Sequence, residues 1–177
     1  MSDSVELRSS PGRGVGVFAL QKFRASETVI VGVIEQRLLR NSSHASQIGL
    51  NSFVLHNRLV RLVNHSCEPN CGIKVNNTGA HDYVAMRDID VGEEILFDYA
   101  MRNYKVEHFP KQCLCGSSAC RRHITGWIGL PAEKKREYRR FAAPYLLDLE
   151  RSDCGGSTTE SSVSTAVFER ELDASAS

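Results

Sequence analysis

Apolar and β-branched residues recur along the chain in short runs. Val15 to Leu20 and Thr28 to Ile34 are two such runs, flanked by Gly and Ser, and each predicts a strand. Phe53 to Leu55, Gly72 to Val75, Tyr83 to Met86 and Ile95 to Phe97 repeat the pattern. Turn signals lie between them at Glu68-Pro69-Asn70, Asn76-Asn77-Thr78-Gly79 and Asp90-Val91-Gly92. Many short strands with tight turns predict a mainly β fold with irregular connections. The pattern changes at Pro131, a residue suited to the first position of a helix. Ala132 to Phe141 continues that helix, Pro144 is expected to interrupt it, and Tyr145 to Glu150 predicts one further turn. After Arg151 the chain is rich in Ser, Thr, Gly and Glu, so residues 151–177 are expected to form a disordered tail. Val163 to Leu172 is an alternative short helix within it.

Composition narrows the class. The 177 residues suggest one domain plus a tail, and 41% hydrophobic residues suffice for a packed core. Lys plus Arg number 22 and Asp plus Glu 21, a net of +1, which argues against a protein held on nucleic acid mainly by charge. No apolar run is long enough to span a membrane. The start, Met1-Ser2-Asp3-Ser4-Val5-Glu6, is polar and acidic and unlike a signal peptide. The expected setting is therefore intracellular, cytoplasmic or nuclear, where thiols stay reduced. The six cysteines then favour metal binding over disulfides. Lys134, Lys135, Arg136, Arg139 and Arg140 make a basic run on the predicted helix, most simply a solvated face. Asp88, Asp90, Glu93 and Glu94 are either a lure for a basic peptide or a charged turn before a strand.

Four stretches carry candidate chemistry. Cys113-x-Cys115-x4-Cys120 supplies three thiolates within eight residues, and structural zinc wants four tetrahedral ligands. Cys67 is the candidate fourth, His123 an alternative, and ordinary buried thiols the plainer reading. Cys71 reads as core and Cys154 as a free thiol. Gly14-Val15-Gly16-Val17 alone is a tight turn into a strand; without a following βαβ unit it is no dinucleotide fingerprint. Arg61-Leu62-Val63-Asn64-His65-Ser66-Cys67-Glu68-Pro69-Asn70 and Phe97-Asp98-Tyr99 complete the set.

Together and in this order, from about Val5 to about Ile128, these motifs resemble the SET-domain protein lysine methyltransferases. The resemblance implies a β-clip-like fold of short sheets, with a threaded C-terminal segment, a post-SET zinc site and a short C-terminal helix. Carried over, residues 5–110 form the SET domain, 111–127 the post-SET segment and 128–150 a helical extension, before the tail at 151–177. Gly14, Val15, Gly16, Asn64 and His65 are then expected to hold S-adenosyl-L-methionine. Cys67, Cys113, Cys115 and Cys120 are expected to hold zinc, and Leu114 or Trp127 to lie near the adenine. Tyr99 takes the catalytic position. Phe97 takes the position that governs how many methyl groups are added; as Phe it leaves room, so products beyond monomethyl-lysine are expected.

The implied substrate is a protein presenting a lysine, such as a histone tail or another basic protein. No membrane or direct nucleic-acid partner is expected, and the chain is expected to be a monomer or weak dimer. One departure stands out. Where related enzymes often place another Tyr upstream of Asn-His, this chain has His44-Ala45-Ser46-Gln47-Ile48-Gly49-Leu50, with His44 nearest the expected place. Two other readings remain at this point: a SET-like module that binds without catalysis, and a small zinc-knuckle nucleic-acid binder.

Overall fold

The computed structural model describes residues 4–106 and 112–155. The alternative helix Val163 to Leu172 lies outside them, as do residues 156–177 of the expected tail. The chain opens with a hairpin of β1 (Val5–Ser10) and β2 (Gly14–Ala19), paired antiparallel with Val5 opposite Ala19. Val5, Val17 and Ala19 turn inward to the core.

The predicted strand Thr28 to Ile34 is two strands in two sheets: β3 (Thr28–Ile30) and β4 (Ile34–Leu38). The break is at Gly32. Its amide donates to Asp82 Oδ1 at 2.8 Å, and a Cβ there would strike the carbonyl of His81. Only glycine lets the two backbones come so close, so the chain leaves one sheet here and enters the next. β4 then pairs with β6 (Ser52–His56), which pairs in turn with β5 (Ser46–Gly49), as a three-stranded antiparallel sheet. β1, β4 and β5 lacked the periodic apolar runs that marked the other strands. A single helical turn, α1 (Arg58–Arg61), follows and buries Val60.

The five-stranded sheet is built from β3, β9 (His81–Ala85), β8 (Cys71–Val75), β10 (Leu96–Phe97) and β7 (Asn64–His65), in that order. β7 and β8 are consecutive in the chain, yet β10 lies between them and is parallel to both. The connecting segment wraps β10. Ser66 N donates to Phe97 O at 3.0 Å and Asn70 N to Leu96 O at 3.2 Å. The Asn70 side chain clamps the same strand twice, donating to Glu94 O and accepting from Leu96 N, both at 2.8 Å. β10 pairs two residues with β7 and one with β8, too few to be stable alone; side-chain bonds and burial hold them.

The helix predicted from Pro131 is α2 (Ala132–Tyr138), with Pro131 as its cap. Pro144 does not interrupt a helix but begins one, α3 (Pro144–Gly155), where a missing N–H costs nothing. α3 is longer than the predicted single turn and runs past Glu150. Leu146 is buried, and the Tyr145 hydroxyl donates to Arg102 O at 2.8 Å. Lys134 and Lys135 pair with Glu137 and Glu150, while Arg136, Arg139 and Arg140 are exposed, so the basic run is a largely solvated face. Among the described residues no helix is long and apolar enough to cross a membrane.

Candidate active site and metal centre

The β10 strand ends at Phe97. Asp98 then caps a 3-10 helix, Tyr99–Met101, by accepting from Ala100 N at 3.1 Å. Tyr99 therefore does not continue an extended strand two residues beyond Phe97. The turn nonetheless keeps the rings adjacent, with centroids 5.0 Å apart. Tyr83 meets Phe97 edge-on at 4.8 Å, and His65 meets Tyr99 at 5.1 Å. Phe97 and Tyr83 are fully buried and Tyr99 is 9% exposed, so Tyr99 is the outermost of these rings.

His65 is fixed from several sides. Its Nδ1 accepts from Tyr99 N at 3.3 Å, which places the ring proton on Nε2, 3.5 Å from Cys67 Sγ. Burial lowers its pKa to about 4, with Asp98 opposing and Arg121 and Arg13 assisting, so the ring is neutral near pH 7.

Asn64 faces the glycine segment. Its side chain donates to Val15 O at 3.1 Å and to Glu94 Oε1 at 2.8 Å. Gly14 has a φ of 79°, and the space beside Gly16 is filled by the Glu94 carboxylate and, at 3.0 Å, by Asn64 Nδ2. A larger residue at Gly16 would push both away. Glu94 also receives Ser10 Oγ at 2.9 Å and Arg13 Nη2 at 2.6 Å. Val15, Gly16 and Asn64 thus meet at one polar cradle, organised by a carboxylate that the sequence reading did not single out for this role.

That observation also settles the acidic group. Glu94 is internal and paired with Arg13, Glu93 is bonded to Arg87, and Asp90 to Lys22. Three of the four carboxylates are matched by cations of the chain itself, and Asp88 accepts from Ala25 N. The group is a charged turn rather than a lure for a basic peptide.

The sulfur atoms of Cys67, Cys113, Cys115 and Cys120 all lie within 4.8 Å of one another, and Cys67 and Cys113 are 3.8 Å apart. Zinc–sulfur bonds of about 2.3 Å arranged tetrahedrally set sulfurs about 3.8 Å apart. The donor set and spacing therefore fit zinc. Arg121 N donates to Cys67 Sγ and Arg122 N to Cys120 Sγ, both at 3.4 Å, as outer partners of a thiolate site do. Burial pushes the Cys67 thiol up to about 11 and the Cys113 thiol higher still. A divalent cation reverses that preference by stabilising the thiolates. His123 is not part of this cluster, and Cys71 is a buried core residue, as expected.

The metal segment is tied to the aromatic site by Arg121, whose Nη2 lies 2.6 Å from Oδ2 of the fully buried Asp98. Tyr138 on α2 adds a hydroxyl bond to Cys67 O at 3.4 Å. Of the two residues expected near an adenine, Trp127 is only 1% exposed and belongs to the core, whereas Leu114 is 69% exposed. His44 is exposed in its loop, against Ser43 Oγ at 3.0 Å. The fully buried histidines are His56 and His81 instead, stacked with centroids 5.2 Å apart.

Comparison with known proteins agrees with this geometry. Residues 14–100 match the family model described as SET domain, so the chain carries a SET domain over these residues. It is 30% identical over 126 residues to the H3 lysine-4 specific histone-lysine N-methyltransferase of Saccharomyces cerevisiae, covering 60% of this chain and 12% of the relative. It is 45% identical over 108 residues to the histone-lysine N-methyltransferase ASHH2 of Arabidopsis thaliana, covering 55% of this chain and 6% of the relative. The chain thus spans a small part of the length of these relatives. Among solved structures it resembles KRYPTONITE, crystallised with mCHH DNA, an H3(1-15) peptide and SAH. The TM-score is 0.53 at 24% identity, covering 68% of this chain and 29% of that one.

Proposed function

We propose that the protein is an S-adenosyl-L-methionine-dependent protein-lysine N-methyltransferase. The observation that carries this reading is the meeting of Tyr99 and His65 with Asn64 beside the Gly14–Gly16 cradle, although these residues are distant in sequence. The cofactor, when bound, supplies a methyl group already activated on a sulfonium. The chain's own task is to hold, orient and keep water out.

Gly14, Val15 and Gly16 offer backbone at close approach, and Asn64 and His65 offer polar groups for the cofactor. Tyr99 is the catalytic residue: its hydroxyl orients the attacking amine. Phe97, with no hydroxyl, leaves space beside that amine, so di- and trimethyl-lysine are expected among the products. Zinc held by Cys67, Cys113, Cys115 and Cys120 keeps residues 113–127 against the Asn-His segment. The functional division we propose is 5–110, 111–127 and 128–150, for the SET domain, the zinc segment and the helical extension.

The substrate is a lysine of a histone or another basic protein, and the site of action is intracellular, in the nucleus if the substrate is chromatin. The chain acts as a monomer or weak dimer, without membrane contact and without direct recognition of nucleic acid. The test is label transfer from S-adenosylmethionine to core histones by zinc-loaded protein. Label that disappears with Tyr99→Phe supports the enzyme. No label and no cofactor binding by calorimetry would leave a non-catalytic binding module.

A further inference from the structure

Arg102 follows the Tyr99–Met101 turn and is only 4% exposed, yet among the described residues no carboxylate lies within ion-pair distance of it. Its guanidinium carbon sits 5.0 Å from the centre of the Phe97 ring and 5.9 Å from that of Tyr99. Its Nε has no hydrogen-bond partner. A buried cation with no carboxylate partner, set against the neutral Tyr83 hydroxyl, is costly and calls for an explanation. Stability does not supply one, since two aromatic faces repay a buried guanidinium only in part.

We propose that Arg102 is a positioning residue that holds the amine of the target lysine unprotonated beside Tyr99. The proposal rests on the methyltransferase reading given above. A lysine has an ordinary pKa near 10.4, and only its neutral form can attack the methyl group. For a fixed positive charge on the order of 7 Å from an amine, at an effective dielectric near 20, the pKa falls by roughly one to two units. The proton leaves to solvent before transfer; the free pair on nitrogen would then form the new bond to the methyl carbon as the sulfonium carbon–sulfur bond breaks and its electron pair stays on sulfur. A sulfonium acts the same way only while the cofactor is bound. Arg102 carries its charge throughout, so it also serves the second and third transfers.

The surroundings leave that field uncancelled. His56 on β6 is held down at about 4 by burial and then by Arg102. His81 on β9 is lowered by burial, His56 and Arg102, and Tyr83 on the same strand stays a neutral phenol. The nearest buried acid, Asp98, is taken by Arg121, and Glu94 is taken by Arg13. Tyr145 on α3 contacts only the backbone carbonyl of Arg102. Tyr99 itself is raised by burial with Arg102 opposing, so the guanidinium's field reaches the hydroxyl's own ring.

The experiment measures kcat and kcat/KM for label transfer from S-adenosylmethionine to saturating core histones, from about pH 6 to about pH 10, for the unmodified protein, Arg102→Met, Arg102→Gln and Arg102→Lys. A kcat profile reports groups in the bound complex, while kcat/KM reports the free reactants. The expected result is a kcat midpoint about one unit higher in Arg102→Met and Arg102→Gln, an unshifted midpoint in Arg102→Lys, and an unmoved kcat/KM midpoint in all three. A lowered plateau with an unmoved kcat midpoint would mean a purely structural role and overturns the proposal alone. No label with the unmodified protein overturns the enzyme reading and this proposal with it. An independent readout needs no turnover. The Tyr99 phenol, titrated by ultraviolet difference against Tyr99→Phe, must ionise at higher pH in the Arg102→Met background; an unchanged midpoint also overturns the proposal.

Discussion

Tyr99 and Glu94 illustrate two kinds of residue in this site. Tyr99 was legible from its place after Ile95-Leu96-Phe97-Asp98, and in the proposed reaction its hydroxyl acts on substrate. Tyr99→Phe is expected to lower methyl transfer by roughly 10²–10⁴-fold while leaving the unfolding midpoint nearly unchanged, as calorimetry alongside the assay will show. Glu94 was legible only as one charge in an acidic turn. Its role depends on Arg13, which lies 81 positions away in sequence, and no local pattern announces such a partner. Glu94→Ala strands Arg13 and frees Asn64. The expected cost is about 1–3 kcal/mol in urea unfolding, with weaker cofactor binding by calorimetry. Arg102 escaped notice for the same reason: a lone arginine after a tyrosine carries no signal until the fold buries it.

At the scale of elements, strands with strong alternation or apolar runs were legible and those set by contact were not. β2, β8 and β9 fell within a residue or two of expectation because their inward faces are apolar. The run Thr28 to Ile34 looked uniform because every residue in it but Gly32 favours strands, and the close approach of the His81 backbone to Gly32 divides it. Gly32→Val is expected to cost about 1–3 kcal/mol or more, measured by chemical denaturation, and to push the link between β3 and β4 away from β9. Arg121 joins two elements in a similar way. Arg121→Ala leaves Asp98 buried and unpaired; a loss of about 3–5 kcal/mol is expected, together with reduced zinc content by atomic absorption. Equal zinc content in the variant would show that the ion pair and the metal segment are independent.

The whole molecule answers to pH through its buried histidines. His81 N donates to Nε2 of His56, and Nδ1 of His56 meets Ser46 Oγ at 2.8 Å, so the folded state needs the neutral ring. The folded pKa is about 4 against 6.5 for a free side chain. The stabilisation is therefore fully present above about pH 6.5 and is lost as pH falls toward about 4. It amounts to roughly 3 kcal/mol across that window. His56→Asn should flatten this slope in urea unfolding at a series of pH values. Comparing the two proteins separates the histidine from acid loss of cysteine ligands. An identical slope in both would remove His56 as the cause.

The cysteine cluster has a consequence for how the molecule comes into being. One sulfur belongs to Cys67, and its partner Cys113 comes 46 residues later. A ribosome thus exposes the early thiol and the Asn-His segment well before the other three ligands emerge. Until then the nascent chain has nothing with which to close the centre. Metal capture therefore follows the emergence of Cys120 rather than seeding the fold, and a cell short of zinc would accumulate chains left unfinished at the active site.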